Sequence, residues 1–173
     1  MTASIQFTTV GARQLEREMA ALVAAGEDLT EFNQAFGLIL ESNTIDRFDR
    51  ETAPDGAKWL KSARAELEGG RTLTDTGRLK GSITSEGDAK SIRVGTNVIY
   101  AAPHQFGATI RAKGDGKLKF RLPGGLGFRS VEEVVLPARP FLGLGPEDEA
   151  DGRALANDFF PGKAPSLFSG GSA

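Results

Sequence analysis

The chain contains no cysteine, one histidine, one tryptophan and one tyrosine. Without cysteine it has no disulfide framework, no thiolate metal site and no cysteine nucleophile. A single histidine cannot supply the two or three imidazoles of a zinc centre, and no His-x-x-x-His or His-Glu pair occurs. Neither sign of charge dominates: 21 Lys and Arg stand against 23 Asp and Glu, a net of -2. That balance argues against a dedicated nucleic-acid binder, whose affinity rests on an excess of cations over phosphates, although a local basic patch stays open. Apolar runs fall far short of the ~20 residues of a membrane-spanning helix, so no membrane partner is expected. Met1 to Phe7 lacks the basic start and apolar core of a secretory leader. The expectation is a cofactor-free protein assembled in a reducing cytoplasm.

Glycine, by contrast, is plentiful: 22 Gly and 8 Pro in 173 residues imply many turns, and the length suits one domain. Residues 1–160 read as a single α+β domain, and 161–173 as a flexible tail of Gly, Ser, Pro and Ala around Leu167 and Phe168. Ile5 and Phe7 alternate with polar neighbours, which predicts a short strand or arm over 4–10. Leu15, Met19, Leu22 and Val23 recur at helical spacing over 12–24. A second helix is predicted near Asp28, where Asp28 and Glu31 have capping-box spacing and Phe32, Phe36, Ile39, Leu40 and Asn43 form one stripe. Pro54-Asp55-Gly56 is turn chemistry that delivers Trp59 and Leu60 as an anchor. Residues 62–68 read as a short helix or an irregular segment, and Asp75 or Thr76 as a cap leading to Leu79 and Ile83.

Sheet structure is expected next. Residues 82–85 and 91–94 alternate around Ile83, Ile92 and Val94 and predict a hairpin. Arg78, Lys80, Lys90 and Arg93 lie there among Asp75, Glu86 and Asp88, which favours a solvated mixed-charge face over a phosphate track. Further on, Lys117, Lys119 and Arg121 alternate with Leu118, Phe120 and Leu122, and 128–136 can return antiparallel, making a protruding hairpin. The glycines at 114 and 116 before Lys117 lack the spacing of a phosphate-binding loop. Acidic residues from Glu147 to Asp151 behind Pro146 mark a final helix start, with Leu155 and Phe159 four apart and Gly152 weakening it by about 1 kcal/mol.

The rare residues gather in 94–107, which holds both Tyr100 and His104 and is answered by 136–143. Hydrolysis would require His104 or a carboxylate to act as base, yet no Asp or Glu stands at helical spacing to orient His104, and the paired carboxylates fall in surface-type runs such as Glu132-Glu133 and Glu147 to Glu149. A structural, hydrogen-bonded histidine is the better reading. Residues 95–97 read as a turn, 98–100 as a return into the sheet, and His104 to Gly107 as a rigid corner closed by 137–143.

Five motifs occur in order: Pro54-Asp55-Gly56 with Trp59; Thr76-Gly77 with Leu79; Gly95 with Tyr100; His104-Gln105-Phe106-Gly107; and Arg139-Pro140-Phe141. Together, over roughly 32–148, this succession resembles the phage virion morphogenesis proteins, the tail-completion or neck proteins of Mu-like and P2-like phages and prophages. Ala108 departs from an expected second glycine, and Gly145-Pro146 from a common serine. The resemblance implies an α+β fold with helices on a largely antiparallel sheet, in a structural virion protein and not an enzyme. It implies a six-fold homo-oligomeric ring at the head-tail junction, between a head-side connector or adaptor and the tail tube or tail terminator. Duplex DNA would pass through the lumen without sequence-specific binding. Subunit contacts would then fall on Ile5 and Phe7, on Lys117, Lys119, Phe120, Arg121 and Leu122, and on Leu167 and Phe168. A small nucleic-acid-binding module using Arg78, Lys80, Lys90 and Arg93, or a His104-dependent hydrolase, is the alternative.

Overall fold

The computed structural model describes residue 20, residues 28–114 and residues 116–161. The expected strand with Ile5 and Phe7, the expected helix 12–24 apart from helical Ala20, and the tail with Leu167 and Phe168 lie outside the described residues.

Helix α1 (Thr30–Arg50) is the axis of the molecule. Its first half buries Phe32 and Phe36 against Leu29, Ala156 and Phe160; its second half buries Phe48 against Trp59, Leu79 and Phe141. One helix thus threads two apolar clusters, and the aromatic contacts continue through both, from Phe32–Phe160 at 5.8 Å to Phe48–Phe141 at 5.2 Å between ring centroids. The start differs from the expected capping box. Leu29 is buried and occupies the boundary position, so Asp28 stands one residue too early and its carboxylate accepts the Thr30 N–H at 2.9 Å, without Glu31.

The turn at Pro54-Asp55-Gly56 forms as expected, with Asp55 accepting the Ala57 N–H at 3.0 Å and Gly56 at φ 84°. It delivers Trp59 into the core but leaves Leu60 exposed. Helix α2 (Ala63–Leu67) follows, capped by Ser62, and a 3-10 turn (Lys80–Ser82) leads into β1 (Ile83–Gly87) and β2 (Ile92–Thr96). These strands pair antiparallel and lie against α1. The approach is closest at Gly87, where a Cβ would come within 2.4 Å of the Asn33 backbone.

After β2 the chain departs from expectation. Residues 98–100 do not rejoin the sheet: Val98 is buried with its N–H on Thr96 Oγ1 at 3.1 Å, and Tyr100 caps helix α3 (Ala101–Phe106). Two alanines favour helix, and Pro103 in the first turn removes an N–H that has no partner there anyway. His104 therefore sits on a helix and not in a turn.

The remaining strands are β3 (Ala108–Arg111), β4 (Leu118–Arg121), β5 (Phe128–Val131) and β6 (Glu133–Leu136). The expected single return strand is broken at Glu132, so β5 pairs with β4 and β6 pairs with β3. The α+β class holds, and among the described residues the strands pair antiparallel as three two-stranded ribbons and not one sheet. Helix α4 (Pro146–Phe159) closes the fold, with Pro146 at its first position and Phe160, more than Phe159, filling the core behind it.

Gly152 reverses its expected role. A Cβ there would lie 2.7 Å from Cζ of Phe36, so glycine lets α4 dock on α1. Gly152→Ala should lower the melting temperature, although alanine favours an open helix by about 1 kcal/mol. An increase in melting temperature would contradict this packing.

Candidate functional site

Residues 137–145 have no regular structure, yet Arg139, Phe141, Leu142 and Gly145 are buried. Buried backbone outside helix or sheet needs partners from elsewhere, because an unmatched buried polar group costs about 1–3 kcal/mol. Four side chains from four parts of the chain supply them. Gln105 Oε1 accepts the N–H groups of Phe141 and Leu142, both at 3.0 Å, and its Nε2 donates to the Leu142 carbonyl at 2.8 Å. Trp59 Nε1 donates to the Pro140 carbonyl at 2.8 Å. Arg47 donates to the carbonyls of Phe141 and Gly143 at 3.0 and 2.9 Å, and its second terminal nitrogen pairs with Asp148 in a buried ion pair. Asp148 also accepts the Gly145 N–H at 2.7 Å and Asn43 Nδ2 at 3.0 Å, which starts α4 from inside the core.

The sequence motifs converge on this clamp. The His104 carbonyl accepts the Arg139 N–H at 2.7 Å, and Arg139 Nε donates to the Leu60 carbonyl at 2.7 Å. Gly107, at φ 75°, ends α3 where a Cβ would press on the Ala138 nitrogen at 3.0 Å. Gly145 lies so close to the turn that a Cβ would overlap the Pro54 carbonyl. Leu79 sits in the core beneath, Gly77 turns at φ 74°, and the Arg78 N–H reaches Thr76 Oγ1 at 3.4 Å. Gly95 has no such reason, since a Cβ would meet nothing within 4 Å. Sequence reasoning missed Arg47, Asp148 and Asn43. Arg47 was marked only by being a charge on the buried side of α1, and Asp148 was one of an acidic run.

Outside the clamp, α2, the 71–79 loop, α3 and the base of β6 enclose a groove of about 530 Å³ whose walls include Leu73, Leu79, Tyr100, His104, Leu136 and Arg139. The His104 ring stands edge-on to Tyr100 at 6.2 Å. Its Nδ1 is buried and has no hydrogen-bond partner among the described residues, and burial, with Arg139 adding to it, pushes its pKa below the ordinary 6.5. It is therefore not the satisfied histidine that the sequence suggested. A general base is normally oriented by a hydrogen bond on its second nitrogen, and Nδ1 of this ring has none among the described residues. Among the described residues, no group of three or more His, Asp or Glu could hold a metal ion.

The ribbons carry part of the exposed apolar surface, Ile110, Phe120, Phe128 and Val135 among it. By register, Ile110 opposes Val134, and Leu118 opposes Val131 with Phe120 beyond it on the same face. Lys117, Lys119, Phe120 and Arg121 are exposed and Leu122 is half-buried; Phe128 is 81% exposed and Phe106, just before β3, 60%. The hairpin does not protrude freely. Its turn is tethered to α2, with the Gly124 N–H donating to Glu68 at 2.7 Å. The cations of the alternative nucleic-acid patch are partly taken: Lys80 is paired with Asp49 at 2.7 Å, and Arg93 with Asp88 at 3.4 Å and Glu86 at 3.6 Å.

Fold and surface define a class: an α+β structural domain with an internally clamped loop and an exposed apolar ribbon. Within that class the particular family is settled by comparison. Residues 10–157 match the phage virion morphogenesis family, and the chain belongs to it. It is similar to the Mu-like prophage FluMu G protein 2 of Haemophilus influenzae, 39% identical over 97 residues that cover 56% of this chain and 57% of the relative. The chain thus spans a little over half the length of that relative. No solved structure matches it. The role is that of a phage virion structural protein.

Arg47→Met strands a buried carboxylate and two carbonyls and should cost about 3–5 kcal/mol in urea denaturation. A loss under ~1 kcal/mol would show that the clamp does not hold the fold. His104 adds a pH dependence. Its folded pKa is depressed, so the unfolded chain binds more protons as pH falls below 6.5. Its contribution is whole above that value and is lost as pH falls through the folded pKa. Melting of wild type and His104→Asn across this window should show a steeper acid loss in wild type; parallel curves would refute it.

Proposed function

We propose that this chain is a neck or tail-completion protein that forms a ring, six-fold, at the head-tail junction. One face of the ring meets the head-side connector or adaptor, the other meets the tail tube or tail terminator, and duplex DNA passes through the lumen. The observation that carries this reading is that a virion morphogenesis family member presents exposed apolar side chains on its β3–β6 and β4–β5 ribbons, Ile110, Phe120, Phe128 and Val135 among them. A closed ring needs a heterologous contact, in which one surface of a subunit fits a different surface of its neighbour. An exposed apolar ribbon beside a rigid body meets that need. No enzymatic role is part of this reading, since the family is structural and His104 lacks an orienting partner.

Electron microscopy and native mass spectrometry of the purified protein test it. Wild type should form rings, and tails lacking the protein should fail to join heads. The double variant Ile110→Asp/Phe120→Asp should remain monomeric with a melting temperature close to wild type, because both positions lie outside the core. Rings that persist in the variant, or a wild type that is monomeric at every concentration and caps no tails, would contradict the proposal.

A further inference from the structure

Many of the described cations are engaged: Arg47, Arg50, Arg64, Arg71, Lys80, Arg93, Arg111 and Arg153 pair with carboxylates. One stretch is different. Between Asp115 and Glu132 the sequence carries Lys117, Lys119, Arg121 and Arg129 and no acid. All four are exposed, and none forms an ion pair or donates a side-chain hydrogen bond among the described residues. Lys61, Arg78, Lys90 and Lys113 are also without ion pairs there, Lys113 lying just ahead of this stretch and the other three apart along the chain, while Lys58 and Arg139 donate to backbone carbonyls. Glu68 lines the hollow beside Arg121, but it accepts the Gly124 N–H and does not pair with the arginine.

The strand sorts these charges. Side chains two apart share a face and stand about 7 Å from one another, so Lys119 and Arg121 stand on one side of the ribbon, and Lys117, one residue before β4, precedes them at the same spacing. Register places Ser130 opposite Lys119 and Phe128 opposite Arg121, while Leu118, Phe120 and Val131 stand on the other side with Arg129. One face of the ribbon thus carries three cations beside Ser130 and Phe128, and the other carries Leu118, Phe120 and Val131 beside Arg129.

We infer that the face bearing Lys117, Lys119 and Arg121 binds the phosphate backbone of duplex DNA without reading its bases. Evenly spaced cations with a hydroxyl among them suit a regular row of phosphates, which takes contacts from Lys, Arg and Ser. A protein partner would want a buried apolar centre, and on this face one large apolar side chain, Phe128, stands among three cations. The choice of duplex DNA rests on the proposed position in the neck. Three charges per subunit make a weak, salt-sensitive contact past which DNA can slide, in keeping with the near-neutral chain.

The test measures binding of a labelled random-sequence duplex by the full chain between about 50 and about 200 mM salt, with native mass spectrometry on the same samples. Wild type should bind with a log–log salt slope of about -3 per bound subunit, and Lys119→Gln/Arg121→Gln should flatten it by about 2. Absent binding at low salt, or an unchanged slope in the variant, would overturn the inference. A variant that loses rings but keeps the DNA slope would make these residues subunit contacts, which also overturns it. Slopes as expected from a protein that never forms rings would sustain the DNA site and remove the ring reading instead.

Discussion

The fold depends on what the Arg47 guanidinium does inside the protein. It faces two carbonyls of an irregular segment on one side and the Asp148 carboxylate on the other, so α1, the 137–145 segment and α4 are held by one side chain. A buried ion pair gives little net stability compared with an apolar replacement, because both charges must leave water. Its value here is directional: a loop without ladder hydrogen bonds is fixed in one path, and α4 starts where Asp148 meets the Gly145 N–H. Gln105 and Trp59 complete the same task from α3 and the Pro54 turn.

This arrangement joins interior to surface. The clamped segment begins where β6 ends, and α3, which carries Gln105, ends one residue before β3. Both strands at the base of the ribbon are therefore rooted in the clamp. In the proposed ring, that rooting lets an exposed ribbon hold a defined angle to the body, so subunit contacts can close a circle.

Much of this was legible in the sequence. Phe32 and Phe36 marked the stripe of α1, Pro54-Asp55-Gly56 marked its turn, and Ile83, Ile92 and Val94 marked the β1–β2 hairpin, because period and turn chemistry are local signals. The five motifs named the family, and four of them proved to be parts of the clamp or the core beneath it. Non-local features stayed hidden. Nothing near Arg47 in the sequence announces that its partner is Asp148, and nothing in 128–136 reveals that Glu132 divides one strand between two partners. Helix α3 was missed because a six-residue helix with a proline reads as a turn. Gly152 was misjudged since helix propensity ignores the ring of Phe36 packed above it.

The central claim is a division of labour, with 137–145 locked from within and 108–136 available to other chains. Hydrogen–deuterium exchange, compared between free and assembled protein, tests it most directly. The account predicts that the Phe141 and Leu142 amides are already protected in the free chain, and that assembly adds protection mainly along 108–136. Fast exchange at Phe141 and Leu142 in the free chain, or an assembled form whose ribbon exchanges as before, would contradict it.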